Sequence, residues 1–314
     1  MSDPRIDPEL LPLLAIVPPF EFTLAKLPEI RRVQNETFTK LGTPTPAVMA
    51  EELHIPADGH EKGLRILSYR PTAVKNPPVY LHLHGGGYVL GTPDMSDARN
   101  RMIAERIGCA IYSVDYRLAP ETAFPGALHD NLAALKWVIA HAGDQGVDAS
   151  RIVIGGESAG GGHAAALAIL ARDKGIPIAG QLLIYPMLDD RTALKHPRND
   201  PARPFHIWSA EDNVFGWECY LGSAPGQADI PALAAPARLE DFAELPPAWI
   251  GVGALDLFCD ENIEYARRLI AADVAVELNV FPGGFHGFAL YPPASAAQRF
   301  EAMYLSALKR FFER

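Results

Sequence analysis

Short apolar runs alternate with longer, helically spaced segments over most of the chain. The runs Val79 to Leu83, Ala110 to Val114, Ile152 to Gly156, Gln181 to Tyr185 and Ala248 to Gly253 are rich in Val, Ile and aromatic residues. Runs that are apolar on both faces predict strands buried inside a parallel sheet, because a half-exposed strand would alternate apolar with polar. Between and after them, helical spacing appears in Ser96 to Ile107, Ala127 to Ala142, Ala159 to Asp173, Asp260 to Ala272 and Ser295 to Phe312. A last strand is expected at Val276 to Phe281. This alternation predicts an α/β fold whose mostly parallel sheet is flanked by helices.

Ahead of the alternation, Glu51 to Pro56 and Leu64 to Arg70 read as two strands joined by a turn at Asp58 and Gly59, forming an antiparallel edge. The sheet then has about eight strands. Two segments break the pattern. Residues 1–48 carry a helix expected at Glu29 to Leu41, and residues 190–224 hold Phe205, Trp208, Phe215, Trp217 and Tyr220. An aromatic load of that kind suits a lid over an apolar pocket, although it would equally complete a core.

Composition narrows the setting. With 28 basic and 38 acidic side chains among 314 residues, the net charge of -10 opposes contact with phosphate backbones and anionic headgroups, so no nucleic-acid partner is expected. The apolar window Leu10 to Phe20 is short and broken by Pro12, Pro18 and Pro19, and Ala164 to Ala171 is shorter still, so no membrane span is expected. The opening MSDPRIDPEL lacks the basic start and apolar stretch of a secretory signal. Cys109, Cys219 and Cys259 are odd in number and lack metal-ligand spacing, which fits packing thiols in a reducing, cytoplasmic compartment. The terminal helix could supply a homodimer surface.

The sharpest chemical signal is Gly156-Glu157-Ser158-Ala159-Gly160, between the strand at Ile152 and the Ala-rich helix that follows. A serine on a tight strand-to-helix turn has its hydroxyl pushed clear of the sheet, and flanking glycines avoid clashes with neighbouring elements. The helix N-terminus then favours negative charge developing at the reacting centre. Upstream, His84-Gly85-Gly86-Gly87 ends another strand and bares backbone amides suited to an oxyanion. A phosphate loop lacks the required glycine spacing here, and a metal pair from His82 and His84 lacks further ligands nearby.

A serine hydroxyl needs a base, and the base needs an orienting partner. His286, in Gly283-Gly284-Phe285-His286-Gly287-Phe288, follows the strand ending at Phe281, and Asp256 follows the strand ending at Gly253. The chain order Ser158, Asp256, His286 suits a strand-end site of this architecture. Asp260 and Asp189 also follow strands and stand as alternatives to Asp256.

Together with Asp115-Tyr116-Arg117-Leu118-Ala119-Pro120-Glu121, Phe124-Pro125, Tyr185-Pro186 and Asp260-Glu261, these motifs resemble the bacterial hormone-sensitive-lipase-like carboxylesterases, α/β-hydrolases with a helical cap. The resemblance runs through most of the chain. It implies a triad of Ser158, Asp256 and His286, an oxyanion hole from the amides of Gly86, Gly87 and Ala159, and a bracing role for His84. It implies cap segments at 1–48 and 190–224, core segments at 49–189 and 225–314, no cofactor and no metal. The implied substrates are short- to medium-chain acyl esters, hydrolysed through an acyl-enzyme on Ser158. A lactone, amide, carbamate or thioester substrate is the alternative, and a non-catalytic small-molecule-binding protein, as in the plant gibberellin receptors, is a third reading. Glu157, Gly162 and His163 depart from the family's usual Asp, Asn and aliphatic residue. His163 is expected to be a buried polar group with its hydrogen bonds satisfied, in preference to a pocket residue.

Overall fold

The computed structural model describes residues 3–17, 21–38, 43–195 and 205–313. Its strands are β1 (Val48–Ile55), β2 (Leu64–Pro71), β3 (Pro78–Leu83), β4 (Ala110–Val114), β5 (Asp148–Glu157), β6 (Gly180–Ile184), β7 (Ala248–Gly253) and β8 (Val276–Phe281). The described helices are α1 (Leu11–Ile16), α2 (Leu27–Phe38), α3 (Asp97–Ile107), α4 (Gly126–Ala140), α5 (Ala142–Gln145), α6 (Ala159–Asp173), α7 (Thr192–Lys195), α8 (Ala210–Leu221), α9 (Cys259–Ala271) and α10 (Ser295–Phe312). The expected elements appear with ends shifted by a few residues. Tyr185, expected to close β6, leaves the strand with φ +34°. Residues 39–41 of the helix expected to run to Leu41, and 196–204 of the segment 190–224, lie outside the described residues.

The eight strands form one sheet in the order β1-β2-β4-β3-β5-β6-β7-β8. β2 runs antiparallel to both β1 and β4, and every other neighbouring pair is parallel. Side chains alternate between the two faces of each strand, and both faces are covered. On one face Leu81, Leu83, Ile152 and Ile154 pack with Leu135 of α4, Leu167 of α6 and Leu269 of α9. On the other, Tyr80, Val153, Leu182 and Trp249 pack with Ile103 of α3 and Phe300 and Leu308 of α10. This two-sided burial accounts for the unbroken apolar runs of the central strands.

The strand order places the chemistry. The chain moves outward from β3 to β4, then returns to β5 on the opposite side of β3, so the loops leaving β3 and β5 part at a switch point and open a crevice. Leu83 pairs with Gly156 at that edge, which makes the triple-glycine loop and the Ser158 turn immediate neighbours.

Candidate active site

Ser158 caps α6 in a backbone conformation rarely taken by a residue with a side chain, φ +55° and ψ −120°. Hydrogen bonds on both sides hold it there. Its amide donates to the Ile184 carbonyl at 2.9 Å, and its own carbonyl accepts from Gly162 and Met187, each at 3.0 Å. Glycine is demanded on either side of the turn, since a Cβ on Gly156 or Gly160 would lie 2.0 or 2.1 Å from the Leu83 carbonyl oxygen. The approach of β3 to the turn therefore leaves no room for any other residue.

His286 reaches Ser158 from the loop after β8. Its Nε2 lies 3.0 Å from Ser158 Oγ, and its Nδ1 lies 2.9 Å from Asp256 Oδ2. The other oxygen of Asp256 accepts the amide of Phe258 at 2.9 Å, which fixes the carboxylate's orientation. Edge contacts from Tyr185 and Phe258, with ring centroids 5.1 and 5.0 Å away, confine the imidazole. The two alternative acids are occupied elsewhere or lack this contact. Asp189 pairs with Arg191 and Lys195, and the structure gives Asp260 no hydrogen bond to His286.

Gly86 and Gly87 have φ of +135° and +57°, and a Cβ on Gly86 would stand 2.1 Å from the Leu90 carbonyl oxygen. Among the described residues, no acceptor takes the amide of Gly86, Gly87 or Ala159. Of the three glycines after His84, Gly85 is the one a Cβ would bring to within 3.5 Å of the Ser158 Cβ, while Ala159 follows the serine in the chain. His84 does not face the serine: its Nδ1 lies 2.9 Å from the Gly85 carbonyl and its ring stacks on Tyr116 at 4.2 Å. Burial depresses its pKa to about 4, so it stays neutral near neutral pH.

Behind the serine lies a buried charged group. Burial works to raise the pKa of Glu157, but Arg99 of α3, and after it His82 of β3, outweigh that and hold it at about 2. Arg99 pairs with Glu157 directly, His82 Nε2 lies 3.2 Å from it, and His82 Nδ1 lies 2.7 Å from Ser113 Oγ. Arg99 carried no signal in the sequence, because its pairing depends on how α3 packs on the sheet, beside β2 and β4, far along the chain from Glu157.

His163 corrects an expectation. It is fully buried, yet neither ring nitrogen has a hydrogen-bond partner among the described residues. Its neighbours are the rings of Tyr88, Tyr116 and Tyr220, at 4.9, 4.7 and 5.5 Å. The hydroxyls of Tyr88 and Tyr116 donate instead to the carbonyls of Met187 and His84. Burial pushes the imidazole pKa down to about 3.

Segments outside the sheet lie over this region. Arg31 of α2 donates to the carbonyls of Val89 and Ala119, both at 2.8 Å. A Cβ on Gly87 would meet the Trp208 ring at 2.1 Å, and one on Gly216 of α8 would meet the Gly87 carbonyl oxygen at 2.6 Å. Ser158, Asp256 and His286 are consequently only 7, 4 and 7% exposed. An aromatic in this segment was visible in the sequence, but its seat on Gly87 was not.

A family model described as the alpha/beta hydrolase fold matches residues 80–290. The chain is 37% identical to carboxylesterase NlhH of Mycobacterium tuberculosis, an alignment covering 99% of this chain and 97% of that protein. It is 30% identical to the arylesterase of Saccharolobus solfataricus over 88% of each chain. Among solved structures, a bacterial heroin esterase superposes with a TM-score of 0.92 at 38% identity, covering 99% of both chains.

Proposed function

The chain belongs to the alpha/beta hydrolase fold family, in its hormone-sensitive-lipase-like group, and from that premise we propose that it is a serine carboxylesterase acting on short- to medium-chain acyl esters. The observation that carries the reading is the continuous contact from Asp256 through His286 to Ser158 Oγ, at 2.9 and 3.0 Å. Names of relatives agree in kind: the first is a carboxylesterase and another an arylesterase.

In the proposed reaction, Ser158 Oγ attacks the ester carbonyl while His286 Nε2 takes its proton. Asp256 keeps Nδ1–H directed toward itself and stabilises the imidazolium that forms. The carbonyl oxygen gathers charge against the amides of Gly86, Gly87 and Ala159, with the N-terminus of α6 adding to the field. His286 then returns the proton to the departing alcohol. Water, activated by the same imidazole, hydrolyses the acyl-enzyme and restores the serine. Residues 1–48 and 190–224 act as the cap, a role supported by the Arg31 and Trp208 contacts. The three free thiols, two of them buried, suit a cytoplasmic location.

Ser158→Ala should lower kcat on p-nitrophenyl butyrate by roughly 10⁴-fold or more. Turnover at the native rate by the purified variant would refute the assignment.

A further inference from the structure

Ser158 follows directly on a residue that carries a negative charge into the interior, an unfavourable neighbour for a reaction that builds a second one. Resting on the esterase reading above, we propose that Arg99 is a positioning residue for the reaction: its guanidinium balances the charge of Glu157, so that the substrate's carbonyl oxygen gathers charge at Ser158 without an unpaired carboxylate beside it.

Glu157 ends β5 and is only 7% exposed. Two elements meet its carboxylate. From α3, Arg99 pairs with it directly, and the same guanidinium donates to Ser96 Oγ at 3.1 Å. From β3, His82 Nε2 lies 3.3 and 3.2 Å from the two carboxylate oxygens, while its Nδ1 faces Ser113 Oγ at 2.7 Å. The two partners are not equivalent. The charge of an imidazole depends on its protonation, whereas a guanidinium keeps its charge at every pH where the enzyme works. Tyr80, Tyr185 and Tyr304 also act on Arg99, and burial holds their hydroxyls un-ionised, so they bring no further charge. Arg99 therefore supplies the permanent counter-charge.

The pair lies where two reacting parts leave the sheet. His82 stands two residues ahead of His84, and a Cβ on Gly85 would come within 2.9 Å of the Glu157 carbonyl oxygen, so the cluster underlies both the serine turn and the triple-glycine loop. Like charges about 10 Å apart in a protein interior repel strongly enough to change a rate about tenfold. An unbalanced Glu157 would oppose each tetrahedral intermediate, which carries its charge on oxygen, and would leave binding of the neutral ester almost untouched. The signature of Arg99 is accordingly a loss in kcat with little change in KM. A buried ion pair also behaves asymmetrically: removing one partner strands a charge, whereas neutralising both costs much less. That asymmetry separates charge balance from simple packing.

The test is steady-state kinetics on p-nitrophenyl butyrate at about pH 8.5, roughly two units above the ordinary imidazole value, so that protonating an ordinary imidazole does not replace the lost cation. Arg99→Met should lower kcat about tenfold, with KM within about threefold of the native value. Adding Glu157→Gln to that variant removes the stranded charge and should raise kcat again by about threefold or more. Arg99→Lys keeps the charge and should stay within about threefold of native kcat, which preserves the test where the Met variant does not fold. A double variant no faster than Arg99→Met would overturn the proposal and reduce Arg99 to a packing role. Native turnover by folded Arg99→Met, or a tenfold loss in folded Arg99→Lys, would overturn it equally. Native enzyme that hydrolyses no p-nitrophenyl ester would overturn the esterase reading itself, a result distinct from an unchanged kcat in an active variant.

Discussion

Asp256 and His163 are both buried polar residues, and they differ in what meets them. Asp256 has one oxygen on His286 and the other on a backbone amide. Replacing it by Asn leaves the shape but removes the acceptor that selects the productive imidazole tautomer, so Asp256→Asn should lower kcat by about 10³–10⁴-fold with KM little changed. Steady-state kinetics on one ester checks this, and a change confined to KM would argue against an orienting role. His163 has no such partner, and its cost is thermodynamic. The unfolded chain takes up a proton near the ordinary 6.5, whereas the folded chain does so only near 3. Acid therefore favours unfolding as the pH falls below the ordinary imidazole value, because the unfolded chain binds the proton first. His84, held at about 4, adds in the same direction over its shorter interval. His163→Leu should raise stability at pH 7 by about 1–3 kcal/mol, by removing an unpaired buried polar group, and should lose less of it between pH 6.5 and 4.5. Urea denaturation at the two pH values measures both effects, and an unchanged slope with pH would contradict the account.

At the scale of elements, legibility followed burial. The central strands and the helices α6 and α10 were readable because each is committed to the core over its length, and Ala-rich α6 is buried almost throughout. The serine turn was equally readable, since close approach of β3 leaves only glycine at Gly156 and Gly160. That approach gives a direct check. A methyl group on Gly160 would fall 2.1 Å from the Leu83 carbonyl and 2.4 Å from that of His84. Gly160→Ala should therefore cost about 1–3 kcal/mol or more in chemical denaturation, and should depress activity as β3 and its glycine loop move. Near-native stability and activity together would show that β3 and α6 can part freely. What could not be read were pairings that arise only when elements cross: Arg99 with Glu157, Arg31 with the carbonyls of Val89 and Ala119, and Trp208 with Gly87. None leaves a periodicity or spacing in the chain, because each joins residues far apart whose meeting is set by packing. His163 was misjudged for the same reason, its aromatic surroundings being assembled from three separate segments.

At the scale of the molecule, one sheet edge gathers what the chain disperses. Reversal of strand order at β3 and β5 brings the triple-glycine loop beside the Ser158 turn, while β7 and β8, further along the same sheet, deliver Asp256 and His286 to that rim. Contacts from α2 and Trp208 reach the loop after β3, and Ser158 is almost hidden, so the proposed mechanism concentrates its chemistry on one hydroxyl. Treatment with a diethyl phosphorylating agent, followed by intact-mass measurement and peptide mapping, interrogates that hydroxyl directly. The account predicts a single adduct on Ser158, formed in step with the loss of ester hydrolysis and strongly slowed in His286→Ala. Complete inactivation with the adduct on a different residue, or undiminished hydrolysis by protein fully labelled at Ser158, would contradict it.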